Sequence, residues 1–270
     1  MYLLIDWGNT NLKYIVSDSL CSKVLQSKPV ERLTQIESLI EQLSAQPIHQ
    51  VLVSSVRSDE ENLRLKQLLL SHLQLISDVT VEDNNSRIYF AQTSYQACGV
   101  KCAYAEPSLL GIDRWLSIIA ANQRQQNIAL ISVGTALTLD VLTPDIHLGG
   151  HILPGRELMF QSLLHTDRVR AHSELEHGVK DPRVLLLGKS TTECVHLGID
   201  AIFWAYLSES IDKLQNQYNI QEYLITGGGG EYWLNQLLTK NITIEYRATL
   251  VFEGLALLYK EHFKEYRCEK

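Results

Sequence analysis

The stretch ALISVGTALTLDV, residues 129–141, consists of two apolar runs that meet at a glycine-threonine pair. The chain begins with a similar stretch, because IDWGNTNLK at residues 5–13 lies without gaps over ISVGTALTL at residues 131–139. Apolar, β-branched runs on either side of a glycine turn are typical of a β-hairpin. Repetition of this hairpin predicts that the chain consists of two related halves.

The length of the chain and the order of its elements support this division. At 270 residues the chain is long enough for two domains, which we place at residues 1–114 and 115–270. Strands alternate with helices along both halves, which indicates the α/β class. Beyond the two hairpins, apolar spacing predicts helices at 32–45, 59–74, 94–98, 111–125, 153–164, 188–215 and 249–264, strands at 50–56, 75–81 and 145–150, and a strand, glycine turn and helix at 222–238.

Charge and composition exclude several classes of protein. With a net charge of −7, the chain lacks the clustered lysine and arginine that neutralise a phosphate backbone, so we expect no nucleic-acid partner. No run approaches the roughly 20 apolar residues of a spanning helix, and no signal peptide is recognisable, so we expect no membrane partner and a cytoplasmic location. The cysteines, 5 in number and scattered, suit a reducing compartment better than a disulfide framework.

The turn of the first hairpin carries polar side chains that suit a phosphate group. Gly8 lets a ligand approach the backbone closely, and Asn9 and Thr10 offer hydrogen-bonding groups beside the turn amides. Asp6 is placed to hold a hydrated magnesium ion, which prefers one or two carboxylates together with phosphate oxygens. Lys13 adds a positive charge on the returning strand. An ordinary hairpin turn with a capping aspartate explains the same residues, and this motif alone does not decide between the two interpretations.

Two further glycine segments favour a nucleotide site. Gly134 and Thr135 repeat the turn in the second half, and two such hairpins from duplicated domains can close on one nucleotide from both sides. In LITGGGG, residues 224–230, a strand leads into Gly227 and Gly228, whose backbone can lie flat against an adenine or a ribose. A tight turn between a strand and a helix explains this segment equally well. No G-K-[S/T] phosphate loop and no G-x-G-x-x-G after a strand occurs, so P-loop and Rossmann folds are excluded.

Asp113 and Arg114 stand side by side at the start of a predicted helix, at the positive end of its dipole. An aspartate within reach of a substrate hydroxyl can accept its proton during phosphoryl transfer. The neighbouring arginine can neutralise a phosphate or a substrate carboxylate. A charge pair that only caps the helix is the alternative interpretation.

Taken together, these segments resemble the type III pantothenate kinases. The resemblance extends over the whole chain and follows the family's order of motifs, which makes it specific. It rests on IDWGNTNLK (5–13), Tyr104 with AEPSLLGIDRW (105–115), SVGTALTLD (132–140), GGHILPGRELM (149–159), LGKSTTECVHLGI (187–199) and TGGGG (226–230).

The resemblance implies an α/β fold of two ribonuclease-H-like domains, as in the actin-like ATPases and sugar kinases, with a nucleotide cleft between them and assembly as a homodimer. It implies transfer of the ATP γ-phosphoryl group to the 4′-hydroxyl of pantothenate, the first step of coenzyme A biosynthesis. Asp113 is then the catalytic base, and Asp6 organises Mg2+ through water. The implied ATP site is Asp6, Gly8, Asn9, Thr10, Asn11, Lys13, Thr135, Gly227 and Gly228, and the implied pantothenate site is Tyr104, Gly111, Ile112, Asp113, Arg114 and Thr191, the last from the partner subunit.

Ser132 departs from the family's pattern. Family members commonly have an aspartate at this position, where it ligates a monovalent cation, potassium or ammonium. A neutral hydroxyl is a much weaker oxygen ligand than a carboxylate. The sequence therefore leaves open whether the cation requirement is lost, weakened or met by other groups.

Two other functions stay open on the sequence. One is an actin-like kinase that acts on a sugar or another small alcohol. The other is a catalytically silent homologue that binds nucleotide or pantothenate and regulates gene expression through a partner. Ser132 keeps this second alternative open, whereas Asp6, Lys13 and Asp113 argue against it, because a binding protein has little need of a positioned base.

Overall fold

The structure of the protein is a computed structural model that describes residues 1–35, 37–43, 47–76, 87–163 and 181–268. Its internal contacts divide the chain into two compact units. Unit 1 consists of Met1–Gln125, Leu142–Gly149 and Arg247–Lys270, and unit 2 consists of Gln126–Val141 and Gly150–Tyr246. These units are defined by contacts and not by the sequence repeat, so the domains at 1–114 and 115–270 stay a prediction.

Strands and helices alternate along most of the chain. The elements in chain order are β1 (Tyr2–Trp7), β2 (Leu12–Ser17), α1 (Ser22–Gln26), β3 (Glu31–Leu33), α2 (Glu37–Leu43), β4 (Gln50–Ser55), α3 (Asp59–Ile76), β5 (Ile88–Phe90), β6 (Gln96–Ala97), β7 (Val100–Lys101), a 3₁₀ turn (Pro107–Leu109), α4 (Ile112–Asn122), β8 (Ile128–Val133), β9 (Ala136–Thr143), β10 (Ile146–Pro154), α5 (Arg156–Leu163), α6 (Thr191–Tyr218), β11 (Glu222–Thr226), α7 (Gly230–Leu237), a second 3₁₀ turn (Leu238–Lys240), β12 (Ile244–Tyr246) and α8 (Leu250–Cys268).

Unit 1 is a sheet covered by helices on both faces. Its strands follow the order β3-β2-β1-β4-β5, with β1 antiparallel to β2 and parallel to β4. Alternate residues of these strands point to opposite faces. One face, with Ile5 and Val53, forms a core with Leu39 of α2 and Leu65 of α3. Helices α4 and α8 pack against the unit 1 sheet and against each other.

The contact between α4 and α8 depends on one glycine. A Cβ at Gly254 of α8 would lie 1.9 Å from the backbone oxygen of Leu116 in α4. No larger residue fits without moving one helix away from the other. This close approach fixes α4, whose first turn carries Asp113, against the unit 1 core.

Unit 2 is built on the strand order β12-β11-β8-β9-β10. Strand β8 is parallel to β11, and every residue of β11 is buried. The inner face of the sheet packs on α5, α6 and α7 through large side chains such as Phe160, Phe203 and Trp233. The repeated hairpin therefore lies at the centre of this sheet, as the first hairpin does in unit 1.

Two predicted helices are wrong. The predicted helix at 94–98 is the hairpin of β6 and β7, whose turn residues Cys98 and Gly99 have φ of +48° and +83°. These left-handed values suit a tight hairpin turn and not a right-handed helix. The segment predicted as one helix at 32–45 contains two elements, because Glu31–Leu33 forms β3 by pairing with β2 and the described helix covers Glu37–Leu43.

Other boundaries also moved. Pro154 ends β10, and the helix predicted to begin at 153 begins at Arg156. The strand predicted at 75–81 begins in the last turn of α3, and its remaining residues lie outside the described ranges. The other predicted helices and strands appear within a few residues of their expected positions. Among the described helices, none combines the length and the apolar character needed to cross a bilayer.

Candidate active site

Asp6 lies near the end of β1, and its two neighbouring strands hold its carboxylate. In the sheet register, Asp6 stands opposite Lys13 on β2 and Ser54 on β4. Lys13 Nζ donates to one carboxylate oxygen at 3.4 Å, and Ser54 Oγ donates to the other at 3.2 Å. Asp6 is only 5% exposed, so these two partners offset the cost of burying its charge. Ser54 was not predicted from the sequence, although the alternation of strand 50–56 places it on this face.

Asp113 lies in the first turn of α4 and shares the electrostatic environment of Asp6. Burial raises the pKa of the Asp113 carboxyl, and the negative charge of Asp6 raises it further. The Arg114 amide that donates to this carboxylate, together with the charges of Arg114 and Lys13, opposes the rise in pKa without cancelling it. Gly111 admits the carboxylate, because a Cβ there would lie 2.7 Å from Asp113 Oδ1. A carboxyl with a raised pKa is suited to accept a proton near neutral pH.

Arg114 and Tyr104 are in direct contact. An Arg114 N–H donates to Tyr104 Oη at 3.0 Å, and the guanidinium lies 5.7 Å from the centroid of the tyrosine ring. The ring of the buried His147 lies 6.4 Å from that of Tyr104, with an angle of 17° between the planes. Arg114 is itself buried, so packing fixes its direction. His147 was not predicted, and its only sequence signal is its position just before Gly149.

Two residues beside this contact belong to the core. Ile112 is 7% exposed and Trp115 is fully buried. The backbone of Ile112 can still line a site, but its side chain packs inside unit 1. Helix α4 therefore presents one polar face, with Asp113 and Arg114, and uses its apolar residues for packing.

The first turn spans Gly8 to Asn11, since β1 ends at Trp7 and β2 begins at Leu12. The Gly8 amide donates to the Asn11 carbonyl at 3.1 Å, and Asn9 and Thr10 are exposed. A Cβ on Gly8 would meet only the Asn11 oxygen, at 3.5 Å, which is an ordinary contact. The packing of the chain itself thus does not require glycine here. An open Cβ position agrees with the predicted approach of a ligand to this turn.

A cavity of about 250 Å³ opens beside the first turn. Its lining includes Trp7 and the turn on one side, with Thr34 and Arg57 on the other. Arg57 Nη1 donates to the Asn9 carbonyl at 2.9 Å, and its guanidinium lies 5.5 Å from the centroid of the Trp7 ring. Arg57 was not predicted from the sequence. The sequence feature that could have indicated Arg57 is its place as a basic residue between a strand and the helix-capping pattern S-x-x-E at residues 58–61.

The second turn is shorter and is held by glycine backbone. Strand β8 ends at Val133 and β9 begins at Ala136, so that only Gly134 and Thr135 lie between the strands. The Gly155 amide donates to the Thr135 carbonyl at 2.9 Å, and a Cβ at Gly155 would lie 2.4 Å from that oxygen. Ser132 is half-buried in the position equivalent to Asp6. The gapless superposition of the two copies therefore does not continue through the turns.

The glycine segment 226–230 packs against the second turn. Gly227 has φ of +89°, and a Cβ there would lie 2.3 Å from the Val133 carbonyl oxygen. The Gly229 amide donates to the same oxygen at 3.0 Å. Gly228 is exposed. The chain's own packing thus accounts for Gly227 and Gly229, and Gly228 is the residue that offers its backbone to solvent.

Thr191 is the first residue of α6 and is exposed. Ser190 caps this helix, because its Oγ accepts the Glu193 amide at 3.2 Å. The Glu193 carboxylate in turn accepts the Lys189 amide at 2.8 Å. These two hydrogen bonds fix the first turn of α6, and with it the position of Thr191.

The structure brings some of the predicted site residues together inside one unit. In unit 1, Lys13 donates to Asp6, and the charge of Asp6 raises the pKa of Asp113. Arg114 of the same unit donates to Tyr104. Unit 2 holds a second set, which consists of Ser132, Thr135, Gly227, Gly228 and Thr191. The first set carries all the charged side chains, and the second offers hydroxyl groups and backbone.

The donor set around Asp6 fits a magnesium ion carried by a nucleotide. The described residues contain no group of three or more His, Cys, Asp or Glu side chains that could hold a metal on their own. Nucleotide-bound Mg2+ does not require such a group, because one or two carboxylates with phosphate oxygens and waters satisfy it. Asp6, with Asp113 nearby, meets this requirement. Ser132 contributes no carboxylate to a cation site.

Comparison with known families and proteins gives a consistent result. The family model described as type III pantothenate kinase matches residues 2–213. A type III pantothenate kinase of Acinetobacter baumannii is 30% identical over 262 residues, which cover 94% of this chain and 95% of the relative. The enzyme of the same name from Cellvibrio japonicus is 31% identical over 269 residues, covering 96% of this chain and 97% of the relative.

Solved structures show the same fold at low identity. A putative Baf family transcriptional activator from Campylobacter jejuni superposes with a TM-score of 0.55 at 21% identity, over 97% of this chain and 99% of that chain. A putative 2-dehydro-3-deoxygalactonokinase from Sinorhizobium meliloti gives a TM-score of 0.56 at 11% identity, over 96% of this chain and 98% of that chain. The expected α/β class with two ribonuclease-H-like sheets is confirmed.

Proposed function

Because the chain belongs to the type III pantothenate kinases, we propose that it transfers the γ-phosphoryl group of ATP to the 4′-hydroxyl of pantothenate. This reaction opens coenzyme A biosynthesis, and we place it in the cytoplasm, where ATP is supplied. The observation that carries the proposal is the position of Asp113, whose carboxyl has a raised pKa, next to Asp6 and Lys13. A base for the acceptor hydroxyl and a charged turn for the phosphates are the parts that phosphoryl transfer needs from a protein.

Asp113 is the proposed catalytic base. The 4′-hydroxyl oxygen attacks the γ-phosphorus, the bond from that phosphorus to the bridging oxygen breaks, and ADP leaves. Asp113 accepts the hydroxyl proton as the new bond forms. Burial and the charge of Asp6 raise the pKa of Asp113, which makes its carboxylate a stronger base than an exposed aspartate.

The first turn is the proposed site for the ATP phosphates. The exposed Asn9 and Thr10, with Asn11, offer amide and hydroxyl donors, and Lys13 adds a positive charge. Asp6 would hold Mg2+ through water, and the bound ion would neutralise charge on the phosphate oxygens. The Lys13 ion pair and the Ser54 hydrogen bond keep the Asp6 carboxylate in a fixed direction for this role.

We extend the nucleotide site to Thr135, Gly227 and Gly228 of unit 2. The exposed Thr135 hydroxyl and Gly228 backbone support this assignment, whereas Gly227 acts by shaping the turn against Val133. At Ser132 a hydroxyl replaces the carboxylate that ligates a monovalent cation in other family members, and a hydroxyl is a weaker oxygen ligand. We therefore propose that potassium or ammonium stimulates this enzyme little.

Pantothenate is the proposed ligand of Arg114 and Tyr104, with backbone contributed by Gly111 and Ile112. The buried guanidinium of Arg114 suits the pantothenate carboxylate, since a positive charge in a partly desolvated site attracts it strongly. We also propose a homodimer in which Thr191 of one subunit contacts the pantothenate of the other. Exposed apolar side chains in unit 2 support such an interface, among them Leu185 and Leu187, each 82% exposed, and Ile202.

A coupled assay of ADP formation tests the proposed function. Purified protein with ATP, Mg2+ and pantothenate should form ADP in proportion to pantothenate, and Asp113→Asn should lower kcat by about 10³-fold. The matched control is Asp59→Asn, which changes an exposed aspartate in the first turn of α3. Equal turnover by wild type and Asp113→Asn would contradict the base assignment. Turnover with a sugar or another alcohol in place of pantothenate would contradict the assignment of pantothenate as the substrate.

A further inference from the structure

We propose that Arg57 is a positioning residue that holds the first turn in its phosphate-binding shape from the side opposite to Asp6. This inference rests on the proposed role of that turn in binding ATP. Arg57 makes three kinds of contact at once. It donates to the Asn9 carbonyl at 2.9 Å, its guanidinium lies 5.5 Å from the Trp7 ring centroid, and it forms an ion pair with Glu61.

The ion pair anchors the guanidinium to the start of α3. Arg57 Nε donates to Glu61 Oε1 at 3.0 Å, and an Nη donates to the same oxygen. The other oxygen of Glu61 accepts from the Ser58 amide at 3.2 Å and from Ser58 Oγ at 2.9 Å. The Glu61 amide donates back to Ser58 Oγ at 3.3 Å, so that the pair closes a capping box. Because Glu61 is fixed in this way, Arg57 has a rigid support.

The backbone of Arg57 is fixed as well. Its amide donates to Ser55 Oγ at 3.2 Å, and its carbonyl accepts from Asn62 Nδ2 at 3.2 Å. Ser55 Oγ donates to Asn62 Oδ1 at 2.6 Å. These bonds fix the segment after β4 against α3. The position of the guanidinium relative to α3 is therefore fixed as well.

Arg57 and Asp6 act on opposite faces of the unit 1 sheet. Trp7, which the guanidinium covers, packs with the core on the α2 and α3 side. Asp6, one residue earlier, points to the other face, where it contacts Lys13 and Ser54. Arg57 therefore supports the turn from the α2 and α3 side of the sheet and does not compete with Asp6 or Lys13 for phosphate.

The bond to Asn9 sets the orientation of one peptide of the turn. In a trans peptide the carbonyl and the following amide point in opposite directions. With the Asn9 carbonyl directed at Arg57, the Thr10 amide is directed away from it, toward the phosphate side of the turn. The cavity of about 250 Å³ beside the turn leaves room for this peptide to rotate once the guanidinium is removed.

The test compares binding of ATP and of pantothenate by calorimetry in Arg57→Ala, Arg57→Lys and wild type. Arg57→Ala should raise the Kd of ATP about tenfold, the usual effect of losing a charge-assisted hydrogen bond, and leave the Kd of pantothenate within about twofold. Arg57→Lys should recover only part of the affinity, because an ammonium cannot bridge Asn9 and Glu61 while covering Trp7. Arg64→Ala, which removes an exposed arginine of α3, is the control and should leave both affinities unchanged.

Two results would overturn the role of Arg57. One is an unchanged Kd of ATP in Arg57→Ala, and the other is an equal loss of affinity for both ligands, which a general disturbance of unit 1 produces. Failure of the proposed reaction is separately visible, since a wild type that binds ATP but phosphorylates no pantothenate leaves the binding comparison intact. A wild type that does not bind ATP would overturn both proposals together.

Discussion

The turn between β1 and β2 in unit 1 and the turn between β8 and β9 in unit 2 each follow a strand inside a sheet. Each contains a glycine at which a Cβ would make only an ordinary contact, Gly8 in the first and Gly134 in the second. Besides its own backbone hydrogen bond, the first turn is held by a side chain, Arg57, which donates to the Asn9 carbonyl. The second is held by backbone, through the Gly155 amide on the Thr135 carbonyl.

This difference shows what a duplicated element can keep and what it can exchange. Both copies keep the strand, the glycine and a turn that exposes polar groups. Charge is concentrated in the first copy, where Asp6 and Lys13 face Asp113. The second copy uses close backbone packing in place of charge. The charged candidate residues thus lie in unit 1, whereas the shape of the second turn, in unit 2, depends on glycine.

Of the exchanges between the two hairpins, Asp6→Ser, which gives the first hairpin the residue of the second, should have the larger effect. Loss of the carboxylate that we propose to hold Mg2+, and that pairs with Lys13, should lower kcat/KM for ATP by about 100-fold. Steady-state kinetics over a range of Mg2+ concentrations measure it. Asp18→Ser, at an aspartate with 76% side-chain exposure, is the matched control and should stay near wild type. Wild-type activity in Asp6→Ser would show that the charge of Asp6 has no role in the reaction.

Substituting alanine for individual glycines distinguishes the glycines that packing requires from the glycines that a ligand requires. Gly155→Ala should cost about 2 kcal/mol of the free energy of unfolding, because its Cβ meets backbone oxygens that cannot move aside. Gly8→Ala should leave stability within about 1 kcal/mol and weaken ATP binding instead. Urea unfolding and ATP titration of each variant test the contrast. A stability loss in Gly8→Ala equal to that in Gly155→Ala would remove the distinction between the two classes of glycine.

The raised pKa of Asp113 makes both activity and stability depend on pH. As the base must be ionised, kcat/KM should rise with pH through a pKa above that of an exposed aspartate. The raised folded-state pKa means that ionised Asp113 destabilises the protein above this pKa, and that the penalty disappears as pH falls through it toward the unfolded value of about 3.9. Asp113→Asn should therefore melt at a higher temperature than wild type at neutral pH.

Thermal melting across pH checks the stability half of this prediction. The gain of Asp113→Asn should shrink as pH falls toward about 4 and vanish there. A gain that is independent of pH would mean that the substitution acts through packing. An acidic limb of kcat/KM at the position of an ordinary aspartate would mean that burial and Asp6 do not raise the pKa in solution.

Ser132→Asp, the reverse exchange, should have the smallest effect. A carboxylate near the end of β8 offers the oxygen ligand that a monovalent cation prefers. Stimulation by potassium should therefore increase by about two- to fivefold. Initial rates in sodium, potassium and ammonium buffers measure the response, with Ser132→Asn as the uncharged control. If potassium stimulates Ser132→Asp and wild type equally, the cation site is absent or consists of other residues.

Much of the fold was accessible from periodicity and repetition. The two hairpins, the long helix α6 and the strand that precedes the glycine segment follow from local apolar patterns. The helix predicted at 94–98 failed because Gln96–Ala97 pairs with Val100–Lys101 as a strand, with Cys98 and Gly99 at left-handed φ values in the turn between them. Strand β3 was missed for a related reason, since Glu31–Leu33 is a strand only through its pairing with β2.

The candidate site divides in the same way. Asp6, Asp113 and Arg114 were recognisable as charged residues beside glycine at the ends of elements. Ser54, Arg57 and His147 were not, because each acts through a residue distant in sequence: Asp6, Asn9 and Tyr104 respectively. A contact of this kind leaves no local pattern.

The sequence by itself determined the class of fold, the repeat and the candidate catalytic residues, since these depend on residue type and on spacing within one element. Only the tertiary structure decided which glycines serve packing and which leave a position open, and that Asp113 lies close enough to Asp6 to have its pKa raised. The physical reason is range. Hydrophobic periodicity acts between neighbours along the chain, whereas steric fit and electrostatic coupling depend on distances that exist only after the strands and helices have packed.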